Sequence, residues 1–127
     1  IDASHGVPAG AQNFHRGGMF AVYNDETRET IDLAAEVYDK SLLIEIWELS
    51  LASRYHSKPV WIHGDVAVGN LLVDNGILCG VIDFGTMGTG DPSCDLVMAW
   101  TFFDDESRKQ FLAEMRMDEN KANIEKL

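Results

Sequence analysis

The sequence predicts an α+β domain, and three observations carry that expectation. Apolar residues recur at helical spacing from about Arg28 to Arg54: first Ile31, Ala34, Ala35 and Tyr38, then Leu43, Trp47 and Leu51. Asn75-Gly76 separates two short apolar runs, among the strongest local signals for a tight β-hairpin. Asp91-Pro92 and Asp104-Asp105 then supply helix-start chemistry ahead of two more apolar helical patterns. With 127 residues, 46% of them hydrophobic, the chain suits one domain with a real core.

The elements follow in order. Residues 1–24 are rich in Gly and polar groups and read as loop, with MFAVY near their end suggesting a short strand or extended piece. Asn24-Asp25-Glu26-Thr27 is a helix-start cluster. Asp39-Lys40-Ser41 either divides the helical stretch in two or lies within it. Val60-Trp61-Ile62 predicts a short buried strand, and HGDVAVGN (His63 to Asn70) is the loop after it. Leu71-Leu72-Val73 is the outgoing hairpin strand, and Ile77 to Phe84 the return strand. GTMGTG is a Gly-rich loop, Asp91 caps a helix holding Leu96, Val97, Ala99 and Trp100, and a last helix carries Phe111, Leu112 and Met115. The polar tail from Asp118 is expected to fray. Trp47, Trp61 and Trp100 are most simply core residues.

Charge narrows the function. The formal net charge is -11, from 21 acidic and 10 basic residues, which argues against nucleic acid as the main partner because phosphate backbones need Lys and Arg. It suits a cationic substrate in an acidic cleft, although solubility alone also makes proteins acidic. No apolar run is long enough to suggest a membrane span. Cys79 and Cys94 read as reduced core thiols, which favours the cytoplasm. The chain begins at Ile1 and no signal-peptide pattern follows, so the native N-terminus is expected to lie upstream.

The octet after the first strand holds the chemistry. It places a carboxylate at Asp65 and an amide at Asn70, five positions on, and the hairpin returns to Asp83-Phe84-Gly85. A hairpin with its open end at that loop brings Asp65, Asn70 and Asp83 together. Carboxylate and amide oxygens suit magnesium, which keeps sites for phosphate and water. Phosphoryl transfer needs such a metal site plus one group that orients the attacking hydroxyl. His63-Gly64-Asp65-x-x-x-x-Asn70 followed by Asp83-Phe84-Gly85 fits both requirements.

WIHGDVAVGNLLVDNGILCGVIDFGTMGTGDPSCDLVMAW is similar to the centre of the aminoglycoside phosphotransferase family, whose relatives also act on choline, homoserine, macrolides and sugars. The close match covers about residues 59 to 103, and NFHRGGMFAVYNDETRETI resembles one bacterial branch less diagnostically. The resemblance implies a protein-kinase-like fold, with residues 1–127 as a mainly helical C-terminal catalytic lobe built around a catalytic-loop β-hairpin. It implies Asp65 as catalytic base, Asn70 and Asp83 as magnesium and nucleotide-binding residues, and Mg2+ with ATP or GTP as cofactors. Gly90, Asp91, Pro92 and Asp95 match the family's Gly-Asp-Pro-x-x-Asp motif, whose two acids are expected to hold the catalytic loop in shape. The implied acceptor is a small-molecule hydroxyl, with an aminoglycoside or another amine suggested by the acidity.

The sequence departs from the family in two ways. Val66, Ala67 and Val68 stand where members often have Leu, His and Pro, which obscures the substrate. No strand-rich nucleotide lobe precedes Ile1, and no Lys, including Lys40 and Lys58, lies on a strand of the required type. An alternative is therefore a non-catalytic isolated lobe that binds partners or self-associates through an exposed apolar face. Other chemistries fit less well. The glycines of GTMGTG do not match GxGxxG, and Asp91 stands where a phosphate loop would have Lys. His63 next to a strand reads as a packing residue, and no HExxH or G-x-S-x-G appears. Arg16 reads as a loop-to-core salt bridge, or as a group binding phosphate or substrate.

Overall fold

A computed structural model describes residues 2–115. They form two units: one spans Gly18–Ser57, and the other combines the residues up to Gly17 with those from Lys58 onward. The expectation for the tail from Asp118 lies outside the described residues.

The first unit is a helix pair, α1 (Asn24–Ala34) and α2 (Lys40–Ala52). Asp39 divides them. Its carboxylate accepts from the Ser41 and Leu42 amides at 2.9 and 3.2 Å, satisfying two N–H groups that α2 leaves unpaired. Asp25 and Glu26 sit in the first turn of α1, where negative charge suits the helix dipole. Ile31 is the buried apolar residue of this pair. A polar clamp assists it: the Asn24 side-chain oxygen accepts from Arg28 Nε (3.0 Å) and Trp47 Nε1 (3.1 Å), while Arg28 pairs with Glu48. MFAVY is not a strand. Phe20–Tyr23 forms a 3₁₀ turn running into α1, and the Phe20 ring tilts against Trp47 with centroids 6.2 Å apart. An apolar run becomes a strand only where a partner supplies a ladder, and here Phe20 packs on an indole instead.

The second unit carries two small antiparallel sheets. β1 (Val60–Ile62) pairs with β4 (Gly88–Gly90), and β2 (Leu71–Asp74) pairs with β3 (Ile77–Val81). Asn75 and Gly76 both have positive φ, 49° and 80°, as a two-residue primed turn demands. The pairing slips between Leu72 and Val73, so the hairpin carries a bulge. Part of GTMGTG is therefore strand rather than loop, because its glycines admit neighbouring backbone that a side chain would exclude. The return strand is also shorter than expected, stopping at Val81, with Phe84–Thr86 a 3₁₀ turn.

Asp91 caps a 3₁₀ helix, Pro92–Leu96, which leads into α3 (Met98–Thr101); Asp104 caps α4 (Asp105–Glu114) through Ser107 N at 2.8 Å. Arg108 on α4 donates to Ala99 O at 2.8 Å and Phe103 O at 3.3 Å, satisfying carbonyls around the end of α3. Ile62, Leu96, Met98 and Ala99 form the buried core. The expected burial of β1 holds for Ile62 alone. Trp61 is 40% exposed, with its indole N–H on Asp2 O, and Trp47 and Trp100 are only partly buried. The cysteines are free thiols as expected, but Cys79 is exposed and Cys94 half-buried, so neither is a core residue. Among the described residues, no helix is long and apolar enough to cross a membrane.

Candidate active site

The loop between β1 and β2 is built on His63. Its side chain is nearly buried at 9% exposure, beneath the Phe84 ring, with centroids 4.5 Å apart. Nδ1 accepts from the Asp65 amide at 3.2 Å, which assigns the ring proton to Nε2, and Nε2 donates to Ile82 O at 2.9 Å. One imidazole thus ties the backbone of Asp65 to the residue before Asp83. The packing role expected of His63 is what the structure shows.

Asp95 holds the same loop from the other side. Its carboxylate accepts from His63 N at 2.8 Å and Gly64 N at 2.7 Å. Gly64 has φ of 86°, and a Cβ there would stand 2.5 Å from Thr86 O, so the sharp turn before Asp65 requires glycine. Asp91, expected to share this duty, makes no side-chain hydrogen bond to the loop. Its carboxylate accepts from Ser93 N (2.9 Å) and Ser93 Oγ (2.6 Å), because Pro92 starts the helix directly after it and turns the side chain onto that helix.

Of the three expected site residues, Asp65 and Asn70 bond each other directly, and Asp83 is connected to them through the backbone of Ile82. Asn70 Nδ2 donates to Asp65 O at 2.9 Å and to Asp65 Oδ2 at 3.2 Å. Asn70 O accepts from Ile82 N at 3.0 Å, so Asp83 follows one residue beyond that junction. Asp83 falls within the return strand the sequence predicts over Ile77 to Phe84. In the structure the strand has already ended there, and Asp83 is exposed with a left-handed backbone, φ 63° and ψ 62°. Its carboxylate accepts no hydrogen bond among the described residues.

That donor set can be tested against magnesium. The Asp83 carboxylate is uncommitted, and Asn70 engages Asp65 through its NH2, which leaves its oxygen as a donor. Among the described residues no cluster of three His, Cys, Asp or Glu side chains could hold a metal by itself. One carboxylate and one amide oxygen nevertheless fit magnesium, which takes one or two protein oxygens and fills its remaining positions with water and phosphate. Arg16 makes no ion pair among the described residues, contrary to the expected salt bridge. The loop it sits on reaches Asp91 through backbone instead, Asp91 N donating to Gly17 O at 2.9 Å.

The sequence pointed to Asp65, Asn70, Asp83 and His63 but missed Thr86, whose hydroxyl donates to His63 O at 3.1 Å. A threonine after Asp-Phe-Gly carries no spacing signal, since its partner lies 23 residues away. Burial pushes the Cys94 thiol up to about 11, with the neighbouring Asp95 charge adding to the effect. That excludes Cys94 as a nucleophile near neutral pH. A family model described as Phosphotransferase enzyme family matches residues 3–125. No curated protein and no solved structure matches the chain.

Proposed function

The chain belongs to the phosphotransferase enzyme family, and from that premise we propose that it is the catalytic lobe of a magnesium-dependent kinase. The reaction moves the γ-phosphate of ATP or GTP to a hydroxyl of a small molecule. The observation that carries this reading is the pairing of the Asp65 carboxylate with the Asn70 amide at 3.2 Å, beside an uncommitted Asp83. Asp65 orients the acceptor hydroxyl and takes its proton as the phosphoryl group transfers. Asn70 holds Asp65 through its NH2 and presents its oxygen, with Asp83, to magnesium. Bound magnesium supplies charge neutralisation at the phosphates. His63 and Asp95 hold the backbone on which Asp65 stands.

The lobe assignment has its own support. A kinase needs a strand-borne Lys on the phosphates, and no described strand carries a Lys. The net charge of -11 favours an amine-bearing acceptor such as an aminoglycoside, and the two free thiols suit a reducing cytoplasm. The test is nucleotide-dependent phosphoryl transfer by the product of the complete gene, over a panel of aminoglycosides and other hydroxyl acceptors. Asp65→Ala should abolish turnover with the fold retained. Unchanged turnover by that variant would remove Asp65 from the base role.

Exposed apolar side chains favour a second reading, an isolated lobe that self-associates. Leu33 and Val37 are 79% and 78% exposed, and Ile77 and Val73 70% and 62%. Light scattering decides it: a concentration-independent monomer counts against this reading.

A further inference from the structure

We propose that the segment Val7–Gly17 is a strap that fixes the turn carrying Asp83, with Asn13 as its positioning residue. The inference rests on reading Asp83 as a magnesium ligand.

The strap grips the chain that continues from Asp83 at successive points. Its 3₁₀ turn, Ala11–Asn13, packs against the Phe84–Thr86 turn. Val7 O accepts from Thr89 N at 2.8 Å and from Thr89 Oγ1 at 3.3 Å, and Gly17 O accepts from Asp91 N at 2.9 Å. Pro8 makes a parallel bridge to Thr89. Thr86, inside the gripped stretch, bonds His63 O, and His63 bonds Ile82 O, so both flanks of Asp83 are tied.

Asn13 makes the strap rigid. It is 1% exposed, and its side chain uses both polar atoms: Oδ1 accepts from Gly10 N at 3.0 Å, and Nδ2 donates to Arg16 O at 3.2 Å. Those bonds hold Phe14 and His15 in consecutive left-handed conformations, φ 53° and 58°, a strained arrangement that surroundings must impose. Phe14 is 67% exposed, so burial of its ring does not offset the strain. The amide also abuts the gripped chain, because a Cβ on Gly88 would lie 2.7 Å from Asn13 Nδ2 and 3.0 Å from Val7 O. A loop held in strain by a buried amide, and seated along the chain from Asp83 to Asp91, has the form of a support that orients a metal ligand.

The experiment uses the product of the complete gene. Mn2+ binding is followed by electron paramagnetic resonance with the non-hydrolysable β,γ-imido ATP analogue, and analogue binding without metal is measured separately. Asn13→Ala should weaken Mn2+ binding ~10-fold or more, the usual cost of losing an outer-shell support. Metal-free analogue binding should stay the same. Asn13→Asp keeps the acceptor for Gly10 and should recover part of the loss. Gly88→Ala forces the strap away while keeping every hydrogen-bonding group, and should weaken Mn2+ binding similarly, so it tests the strap even where Asn13→Ala folds poorly. Ile31→Val, a small core truncation in the helical unit, should leave Mn2+ binding unchanged. Wild-type Mn2+ affinity in both Asn13→Ala and Gly88→Ala, with Asp83→Asn impaired, overturns the strap and leaves the ligand reading intact. Wild-type affinity in Asp83→Asn overturns both.

Discussion

Removing the Asp95 carboxylate tests whether that side chain holds the loop between β1 and β2. In Asp95→Ala, the amides of His63 and Gly64 lose the acceptors they reach at 2.8 and 2.7 Å. Both residues are buried, so water cannot readily replace the carboxylate. An unsatisfied buried donor costs ~1–3 kcal/mol, so two cost ~2–6 kcal/mol. Against a total stability of about 5–15 kcal/mol for an ordinary domain, that is a large share. Asp95→Asn keeps one acceptor oxygen but turns an NH2 toward the second amide, so roughly half that loss is expected. The assay is guanidinium unfolding, with hydrogen exchange read at the His63 and Gly64 amides. Both amides should lose protection in Asp95→Ala, more than amides in α2, which belongs to the other unit. A stability change under about 0.5 kcal/mol, the range of ordinary surface substitutions, with unchanged protection at both amides would refute the reasoning.

Three other outcomes are expected. Asp83→Asn should unfold with wild-type stability, because Asn tolerates the left-handed backbone at φ 63°, yet phosphoryl transfer should be lost; an active variant would remove the charge requirement. Alkylation of the native protein near pH 8 should modify exposed Cys79 and spare Cys94; as pH rises from the ordinary thiol value of 9.0 toward about 11, the unfolded state ionises first, so any stability from the neutral Cys94 thiol is lost over that window. Hydrogen bonds from the Ser41 hydroxyl to Asp39 and from the Ser107 amide to Asp104 hold both carboxyls below their usual 3.8, so the caps contribute fully above that pH and fade as pH falls through the lowered values; circular dichroism should show helix loss in acid that Asp39→Ala with Asp104→Ala reduces.

What the sequence revealed was local chemistry. Asn75-Gly76 could be read as a turn because both residues tolerate the positive φ that the turn needs. Asp91 and the Asp104-Asp105 pair could be read as helix starts because a cap sits within three residues of the amide it satisfies, whereas Asp39, which the sequence left either between two helices or inside one, shows its capping role only in the structure. The family resemblance pointed to Asp95 but could not show that Asp91 would turn to its own helix. MFAVY misled because its composition suits a strand and only tertiary context decides whether a ladder partner exists. GTMGTG misled in the opposite direction, since its glycines serve close backbone approach rather than flexibility. Asn13 and Thr86 left no signal, because what makes them matter is the segment packed against them.

The proposed metal role of Asp83 draws support from how the fold holds the residues around it. A left-handed backbone costs most side-chain-bearing residues roughly 1–2 kcal/mol, and Asp less than most. Extending β3 through Asp83 would avoid that cost. The chain instead ends the strand at Val81 and spends three separate contacts on the residues around the turn: Ile82 N to Asn70 O, His63 Nε2 to Ile82 O, and Thr86 Oγ1 to His63 O. Each of these contacts is made by a neighbour of Asp83, and none uses its carboxylate. A backbone fixed on both sides, with the acid unbonded among the described residues, is compatible with the proposed metal-ligand role. A structural aspartate would have been drawn into one of those bonds, as Asp91 and Asp95 are.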